Sequence, residues 1–286
     1  MSEKIKVAVL GAGGKMGMRV TPNLMEDDRY EVYALETGEV GQKRLAERGI
    51  EVHPNEDIIP IADVVVYAVP DRALKDITAE WVPKQKAGSA VVTLDPAAAY
   101  ANLLYHRDDI DYCACHPTHP SVFLERKTPE EWADTFGGIA APQYVIAAVQ
   151  HGNEERIHTE IRDIIAQMFR PTIDVKWCSV HDLAVLEPTL AETIGCMIGA
   201  FLKEAMDYTV EVTDMTEDVV EAMFHGHVYI ALTNALRGSN PFSDACLLAM
   251  EYGREAIIKD DWKRIFNDED LDIVLAKMLQ VDKIER

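Results

Sequence analysis

The sequence predicts two domains: an α/β domain at 1–178, built on a doubly wound parallel sheet of the Rossmann type, and an all-α domain at 179–286 with a long central helix. In the first part, short apolar segments alternate with helical patterns, which is typical of a parallel sheet covered by helices on both faces. The segments are continuously apolar, as expected for strands that are buried on both faces. After Ser179 the strand signals stop and long helical stretches follow.

The apolar periodicity places the elements in order. Strands are predicted at 5–10, 30–35, 63–69, 89–94, 111–115, 143–149 and 172–177. Helices are predicted near 16–25, 40–48, 73–83, 153–168, 180–211, 216–238, 243–259 and 268–280. Because Pro188 interrupts the 180–211 stretch, we expect a kink or a helix start there. Small residues at Gly195, Gly199 and Ala200 would let helices pack closely, so this stretch is predicted to form both a helical core and the seam of a homodimer.

The chain is strongly acidic, with 28 Lys and Arg against 49 Asp and Glu and a net charge of −21. Such a surface repels phosphate backbones and anionic membranes, so neither nucleic acid nor membrane is expected as a partner. The amino terminus lacks the basic start of a signal peptide. The apolar stretch at 194–202 is far shorter than the ~20 residues that span a bilayer. We therefore expect a cytoplasmic protein whose partner is a small molecule.

Five scattered cysteines indicate reduced thiols. Cys113 and Cys115 are two apart in a predicted strand, so both can face one side of the sheet. They form either a metal-binding pair or a pair of core thiols, and the core thiols are favoured.

A glycine-rich loop joins the first strand to the first helix, and it consists of Gly11, Ala12, Gly13, Gly14, Lys15, Met16 and Gly17. Gly11 would allow the sharp turn after the strand, Gly13 or Gly14 a close approach of the backbone to a pyrophosphate, and Gly17 close packing of helix on strand. The free N–H groups of the following helix would bind the diphosphate. The strand before and the helix after the loop make this a dinucleotide-binding signal.

Glu36 ends the second strand, 19 residues after Gly17. A carboxylate there accepts hydrogen bonds from the ribose hydroxyls and repels a 2′-phosphate, which favours NAD over NADP. The alternative is a solvent-exposed glutamate beside an ordinary glycine loop.

Two further strand ends carry polar residues at the edge of the sheet where ligands bind. Pro70 and Asp71 follow the 63–69 strand and are candidate cofactor-side residues, unless Asp71 only caps a helix. Asp95, with Pro96 and Ala97, has the same two interpretations.

His116 and His119 lie in a rigid His-Pro-Thr-His-Pro corner after the 111–115 strand. His116 is a candidate general acid or base, a candidate metal ligand, or a structural histidine. The same alternatives apply to His119, for which a structural role is as well supported as the others.

Glu187 lies in an apolar stretch just before Pro188, where a carboxylate is costly to bury unless it is paired, protonated or bound to a cation. The alternative is a solvated side chain at a helix kink. Glu192 lies mostly on another face of that helix and is a weaker candidate. Of His225 and His227, we expect His227 to reach a cleft.

His116 and Glu187 are therefore predicted to be the catalytic residues and to bind one divalent metal, with zinc as the preferred ion.

Over nearly its whole length the chain resembles the 6-phosphogluconate dehydrogenase and prephenate dehydrogenase superfamily. The segments GAGGKMG (11–17), VVVYAVPD (64–71), HPTHP (116–120) and LEPTLAE (186–192) resemble those of the D-apionate oxidoisomerase family, which acts in apiose breakdown. Better-known hydroxyacid dehydrogenases of this superfamily use a lysine on the long helix, whereas Leu186 to Phe201 contains none.

The resemblance implies a two-step reaction in which D-apionate becomes 3-oxo-isoapionate. A hydride passes to NAD from the carbon next to the carboxylate, and an alkyl shift then rearranges the ketone, a step that a Lewis acid would assist. Two alternatives are a simple NAD-dependent hydroxyacid dehydrogenase and a non-enzymatic NAD-sensing regulator.

Overall fold

The computed structural model describes residues 3–285. Its single sheet of the described residues has the order β3-β2-β1-β4-β5-β6-β7-β8. The strands are β1 (Ile5–Leu10), β2 (Tyr30–Leu35), β3 (Val52–His53), β4 (Val64–Tyr67), β5 (Ala90–Thr93), β6 (Asp111–Pro117), β7 (Gln143–His151) and β8 (Thr172–Cys178). The first six follow the Rossmann order, so the fold class read from the sequence is confirmed.

The register of the parallel strands places their carboxyl ends side by side. Leu10 pairs with Leu35 and Tyr67, Tyr67 with Thr93, and Thr93 with Ala114. The segments that leave β1, β2, β4, β5 and β6 therefore meet at one edge of the sheet. This is the edge at which open parallel sheets bind their ligands.

The last two strands run opposite to the first six. β6 and β7 pair antiparallel, with His116 opposite Ile146, whereas β7 and β8 are parallel to each other. The strand–helix alternation predicts a wholly parallel sheet, and this prediction is wrong for β7 and β8. The connection from β6 to β7 is not a helical crossover. It leaves and re-enters the sheet at the same edge, where the backbone N–H of Thr118 donates to Tyr144 O. β7 therefore runs antiparallel to β6.

The helices of the first part agree with the predicted ones within a few residues, and several short helices were not predicted. They are α1 (Gly17–Met25), α2 (Glu39–Glu47), α3 (Asn55–Ile58), α4 (Asp71–Trp81), α5 (Ala97–Tyr100), α6 (Pro129–Ala133), α7 (Glu154–Arg156) and α8 (Arg162–Met168). A π-helical segment, Ile157–Ile161, connects α7 to α8. The short helices α3, α5 and α6 hold four or five residues, too few for a periodic pattern to show.

The remaining helices are α9 (Val180–Ala184), α10 (Met197–Val212), α11 (Glu217–Arg237), α12 (Asp244–Ile257) and α13 (Asp268–Leu279). A π-helical segment, Val185–Cys196, joins α9 to α10. Pro188 lies inside that segment, so it does not start a helix, which was one of the two outcomes expected there. Proline removes one helical N–H donor, and the backbone here continues in the wider π form.

By its contacts the chain forms two compact units, one of residues 1–187 and 272–286 and the other of Pro188–Leu271. The predicted boundary lay at 178, before α9. Leu183 and Ala184 of α9 are fully buried, which accounts for the later boundary.

The helix Val180–Val212 is apolar and long, and only 17% of its most hydrophobic window is buried. By length and composition it could cross a membrane, a test that core and interface helices of soluble proteins also pass. The sequence predicts no membrane span, because polar residues are dispersed through this helix and the apolar stretch at 194–202 is short.

Candidate active site

The glycine loop turns between β1 and α1 as the sequence predicts. Gly11 has φ +82°, a conformation that favours glycine, and a Cβ there would lie 2.6 Å from Ala68 O. A Cβ on Gly13 would lie 2.3 Å from the Cα of Gly41, and one on Gly17 would lie 2.2 Å from Gly11 O. Each of these positions excludes a larger residue, so the loop forms the narrow backbone cradle that a pyrophosphate requires.

Glu36 stands directly beside this cradle. Its Oε2 accepts a hydrogen bond from the Gly13 N–H at 3.0 Å, and its Oε1 accepts one from the Gly38 N–H at 2.8 Å. Backbone donors thus hold the carboxylate at the end of β2, where the ribose of a bound dinucleotide would lie.

A cavity of about 400 Å³ opens next to Glu36. Its lining includes Leu10, Gly11, Asn55 and Trp81. A volume of this size at the edge of the sheet suits an adenosine moiety.

Pro70 and Asp71 follow β4, between this strand and α4. Pro70 is the N-cap of α4 and Asp71 is its first residue, so the alternative that Asp71 caps this helix is wrong. Asp71 lies at the same sheet edge as the glycine loop.

Three side chains converge at the carboxyl ends of β5 and β6. Asp95, His116 and Glu187 each offer one donor atom, and these atoms all lie within 4.8 Å of one another. The predicted pair His116 and Glu187 is therefore close together. Asp95 completes the group, although the sequence pointed to it only as a cofactor-side residue or a helix cap.

Backbone contacts orient Asp95 toward His116. Its Oδ1 accepts a hydrogen bond from the Ala97 N–H at 2.8 Å, at the start of α5. Its Oδ2 lies 3.8 Å from His116 Nδ1, which is too far for a hydrogen bond. Among the described residues, His116 Nδ1 is buried and has no hydrogen-bond partner.

Burial, with the nearby His119 as a smaller cause, lowers the pKa of His116 to about 4. The imidazole is therefore neutral near pH 7, and the lone pair of one ring nitrogen is available to bind a metal ion. A neutral imidazole is the form that binds metals, whereas a base this weak is poorly matched to removing a proton from an alcohol at neutral pH.

Glu187 is 5% exposed and lies in the π-helical segment that follows α9. The alternative of a solvated glutamate at a kink is therefore wrong. π-helical turns frequently occur at functional sites, because the extra residue per turn redirects a side chain. Thr189, two residues on, is also buried.

His119 has a local partner in the loop between β6 and β7. Its Nδ1 lies 2.7 Å from Phe136 O, and the two rings are 4.6 Å apart. The Lys15 ammonium lies 4.7 Å and the Arg19 guanidinium 3.6 Å from the centroid of the same Phe136 ring. These contacts are those that a structural role for His119 requires, and through Lys15 they connect this loop to the glycine loop.

A single carboxylate organises the loop around Phe136. Asp134 accepts hydrogen bonds from the backbone N–H groups of Gly137, Ile139, Ala140 and Ala141 at 2.8–3.1 Å. The sequence contained no periodic signal for this arrangement.

Comparison with known proteins places the chain in a family. A family model described as the C-terminal part of decarboxylating phosphogluconate dehydrogenase matches residues 124–279, and one described as coenzyme F420-dependent NADP oxidoreductase matches residues 6–96. A D-apionate oxidoisomerase from Pectobacterium atrosepticum is 51% identical, with 100% of both chains covered. Another from Blautia hydrogenotrophica is 37% identical, with 98% of both covered.

The chain belongs to the D-apionate oxidoisomerase family. A solved structure from Cupriavidus necator, described as a semialdehyde dehydrogenase NAD-binding protein in complex with calcium and NAD, is also similar. It has a TM-score of 0.92 and 36% identity, and the match covers 96% of this chain and 100% of that one. With the Rossmann sheet, the glycine loop and the carboxylate at the end of β2, this membership makes the protein an NAD-dependent oxidoreductase.

The other candidates from the sequence lie elsewhere. Cys113 and Cys115 are buried in the hydrophobic core, where burial raises the pKa of both thiols, so the interpretation as core thiols is confirmed. Glu192 is exposed. His227 is exposed on α11, and its Nδ1 lies 2.7 Å from Met223 O.

Proposed function

We propose that this family member oxidises D-apionate with NAD and rearranges the resulting ketone to 3-oxo-isoapionate. The observation that carries the proposal is the convergence of Asp95, His116 and Glu187 at the sheet edge that also holds the glycine loop. Full-length relatives that are named D-apionate oxidoisomerase support the substrate.

We propose further that these three residues bind one divalent metal. A zinc ion with ligands at about 2.0–2.2 Å would hold its donor atoms roughly 3.4 Å apart. Donor atoms that already lie within 4.8 Å reach that spacing by small side-chain movements. The neutral imidazole and the two carboxylates fit a divalent cation in charge and in donor type.

The second carboxylate bears on which metal binds. Zinc was preferred on the basis of His116 and Glu187 alone, and it remains a candidate. Two carboxylates with one imidazole suit harder ions such as Mn²⁺, Mg²⁺ and Ca²⁺ as well. The related structure from Cupriavidus necator is in complex with calcium, which supports including Ca²⁺ in any reconstitution.

Each part of the site has a separate task in the reaction. NAD, held by the glycine loop and Glu36, would accept the hydride from the hydroxyl-bearing carbon next to the substrate carboxylate. The divalent cation would act as a Lewis acid on the substrate oxygens in both steps. Asp95 and Glu187 supply the negative charge that holds the cation, and the Ala97 N–H fixes the orientation of Asp95. The neutral His116 adds a ligand without adding charge.

The reaction is tested with full-length protein, NAD and D-apionate labelled with ¹³C. We expect one NADH per substrate and a ¹³C NMR spectrum in which the carbon connectivity has changed. The rearranged and unrearranged ketones have the same mass, so connectivity must be read by NMR. NADH with an unchanged skeleton would identify a simple hydroxyacid dehydrogenase, and no turnover at all would favour an NAD-sensing regulator.

The metal is tested by exhaustive chelation followed by the addition of single cations. We expect activity to be lost and then restored by one of Zn²⁺, Mn²⁺, Mg²⁺ or Ca²⁺. His116→Ala, Asp95→Asn and Glu187→Gln should each lose bound metal, whereas Glu192→Gln, at an exposed position of the same helix, should keep it. Full activity after chelation, with no metal by elemental analysis, would make His116 and Glu187 an acid–base pair instead.

A homodimer through the second unit is also proposed. None of the side chains of α10 and α12 is buried, and α11 buries only Val220, so these helices lack an apolar core in the single chain. Exposed apolar residues of α10 include Met197, Ile198 and Tyr208. Since closed two-fold dimers are the commonest assembly, a second copy is the expected cover.

Light scattering at micromolar concentration should give twice the mass of the chain, and Ile198→Asp should shift the protein toward the monomer. A monomer for the parent protein would remove this proposal. Because α10 belongs to a helix that could cross a membrane, flotation with anionic and neutral vesicles is the matching control. Protein that stays out of the vesicles is expected for the cytoplasmic location that we propose.

A further inference from the structure

A second group of metal-ligating side chains lies at the opposite end of β6 from His116. His106, Asp108 and His151 each offer one donor atom, and these atoms all lie within 4.8 Å of one another. His151 ends β7 and pairs with Tyr112, near the start of β6. His116 is four residues further along the same strand, which corresponds to about 13 Å at 3.3 Å per residue. The two groups are therefore separate sites.

The three side chains are already close together. His106 Nε2 lies 3.0 Å from Asp108 Oδ1, and His151 Nε2 lies 3.4 Å from Asp108 O. The two imidazole rings meet edge to face, with centroids 4.6 Å apart. His106 Nε2 thus faces the Asp108 carboxylate, whereas His151 Nε2 contacts the Asp108 backbone carbonyl.

The loop that carries His106 is held firmly by its neighbours. The His106 ring stacks on Tyr112 at 5.5 Å. The Tyr112 hydroxyl donates to Tyr105 O at 3.0 Å and accepts from the Arg107 N–H at 2.9 Å, so the residues on both sides of His106 are fixed to the same phenol. The Tyr112 side chain is buried, and it gives the exposed histidine a rigid support.

Arg107 adds a second attachment of this loop. Its guanidinium donates to Val82 O at 2.9 Å and to Gln85 O at 2.7 Å, and it pairs with Asp109. Ligands that are held in place before a metal arrives lose little conformational entropy on binding. Two imidazoles and one carboxylate are a donor set for zinc and other late first-row divalent ions, with water completing the coordination.

We propose that His106, Asp108 and His151 form a second divalent metal site, selective for late first-row ions such as Zn²⁺, which fastens the loop before β6 to the end of β7. Bond lengths of about 2.0–2.2 Å would hold the three donors roughly 3.4 Å apart, which atoms already within 4.8 Å of one another reach by small movements. Asp108 can supply most of this movement, because its side chain is 95% exposed. The strongly acidic surface of the protein also favours the approach of cations.

The test is calorimetric titration of the full-length protein with zinc chloride. His106→Ala and His151→Ala should each remove one zinc equivalent or weaken its binding by at least about ten-fold, the lower end of the 10–100-fold loss that even outer-sphere partners cause. His225→Ala, which removes an exposed histidine of α11, is the matched control and should bind zinc as the parent does. Unchanged zinc binding in both cluster variants, or an equal loss in the control, would overturn the proposal.

Three further measurements keep this site apart from the proposed active site and from misfolding. His116→Ala should retain the zinc bound at His106, so the two proposals fail independently. NADH formation should be unchanged in His106→Ala. Tyr112→Phe keeps both ligands and the ring stack but loses the hydroxyl that holds the loop, so it should weaken zinc binding less than removal of either histidine. Zinc binding by Tyr112→Phe that equals that of the parent would show that the loop is not held in advance.

Discussion

Replacing Glu36 should change the cofactor that the enzyme prefers. In the structure the Glu36 carboxylate accepts backbone hydrogen bonds at 3.0 and 2.8 Å and stands beside the glycine cradle. In Glu36→Ala the ribose hydroxyls of NAD lose a charged acceptor. A hydrogen bond to a charged group contributes about 1.5–3 kcal/mol, so KM for NAD should rise about 10–150-fold.

NADP should gain from the same change. Two unit charges 4 Å apart repel by about 4 kcal/mol at an effective dielectric constant of 20, and solvent and salt reduce this at a partly exposed site. Removing the carboxylate relieves that repulsion. Lys15, Arg44 and Arg48 line the adjacent surface cavity and offer positive charge to a 2′-phosphate. The ratio of kcat/KM for NAD over NADP should therefore fall by at least about 100-fold.

The assay is initial-rate NADH and NADPH formation with parent, Glu36→Ala and Glu36→Gln. The glutamine removes the charge but keeps one acceptor oxygen for one of the two backbone N–H groups, so it perturbs the loop less than alanine does. An unchanged thermal midpoint shows that the fold survives. A parent enzyme that prefers NADP, or a Glu36→Ala variant whose ratio stays within a few-fold of the parent's, would refute the reasoning.

Two stability predictions follow from the loops around the site. Asp134→Asn should destabilise the loop by about 2 kcal/mol, because asparagine keeps only one acceptor oxygen. Hydrogen bonds to a charged acceptor contribute about 1.5–3 kcal/mol. Amide hydrogen exchange at Ile139 measures the loss. Although burial raises the pKa of Asp134, four backbone N–H groups outweigh it and hold the pKa below its usual value. The stabilisation is thus present above the unfolded pKa near 3.9 and is lost as the pH falls through the folded pKa, so the parent loop but not Asp134→Asn should loosen further in that window. Gly152→Ala should cost about 1–3 kcal/mol of unfolding free energy, because φ is +109° and the new Cβ would lie 2.8 Å from the Cα of Asp111. Gly49→Ala, at φ +68° with nothing within 4 Å, should cost less, and equal losses in urea unfolding would contradict the steric argument.

Several features were predictable because their signals are local. The apolar runs that became β1, β4 and β5 are continuous in the sequence, and each strand is buried at its centre. The glycine loop and Glu36 were predictable because a dinucleotide site requires a fixed spacing between a strand end, a helix start and the next strand end. His116 was singled out by its place after a strand, and Glu187 by the cost of burying a carboxylate among apolar residues.

The features that were missed or mistaken depend on partners distant in the chain. The local pattern marked Asp95 only as a polar residue after a strand, and it joins His116 because the register of β5 on β6 places the two strand ends side by side. The reversed direction of β7 follows from where the preceding loop re-enters the sheet, which periodicity does not encode. The π-helical segment that contains Glu187 was not predicted either, since the sequence indicates only one continuous helical stretch at 180–211.

The sequence by itself therefore determined the Rossmann sheet, the cofactor loop and the carboxylate that favours NAD, because apolar period, turn chemistry and strand ends act over short distances along the chain. Only the tertiary structure decided that Asp95 stands with His116 and Glu187, and that His106, Asp108 and His151 face one another at the other end of β6. Those groupings arise from sheet register and from loops fixed by buried side chains such as Tyr112. The free energy that brings such residues together is spread over many long-range contacts, and no short segment of the chain contains it.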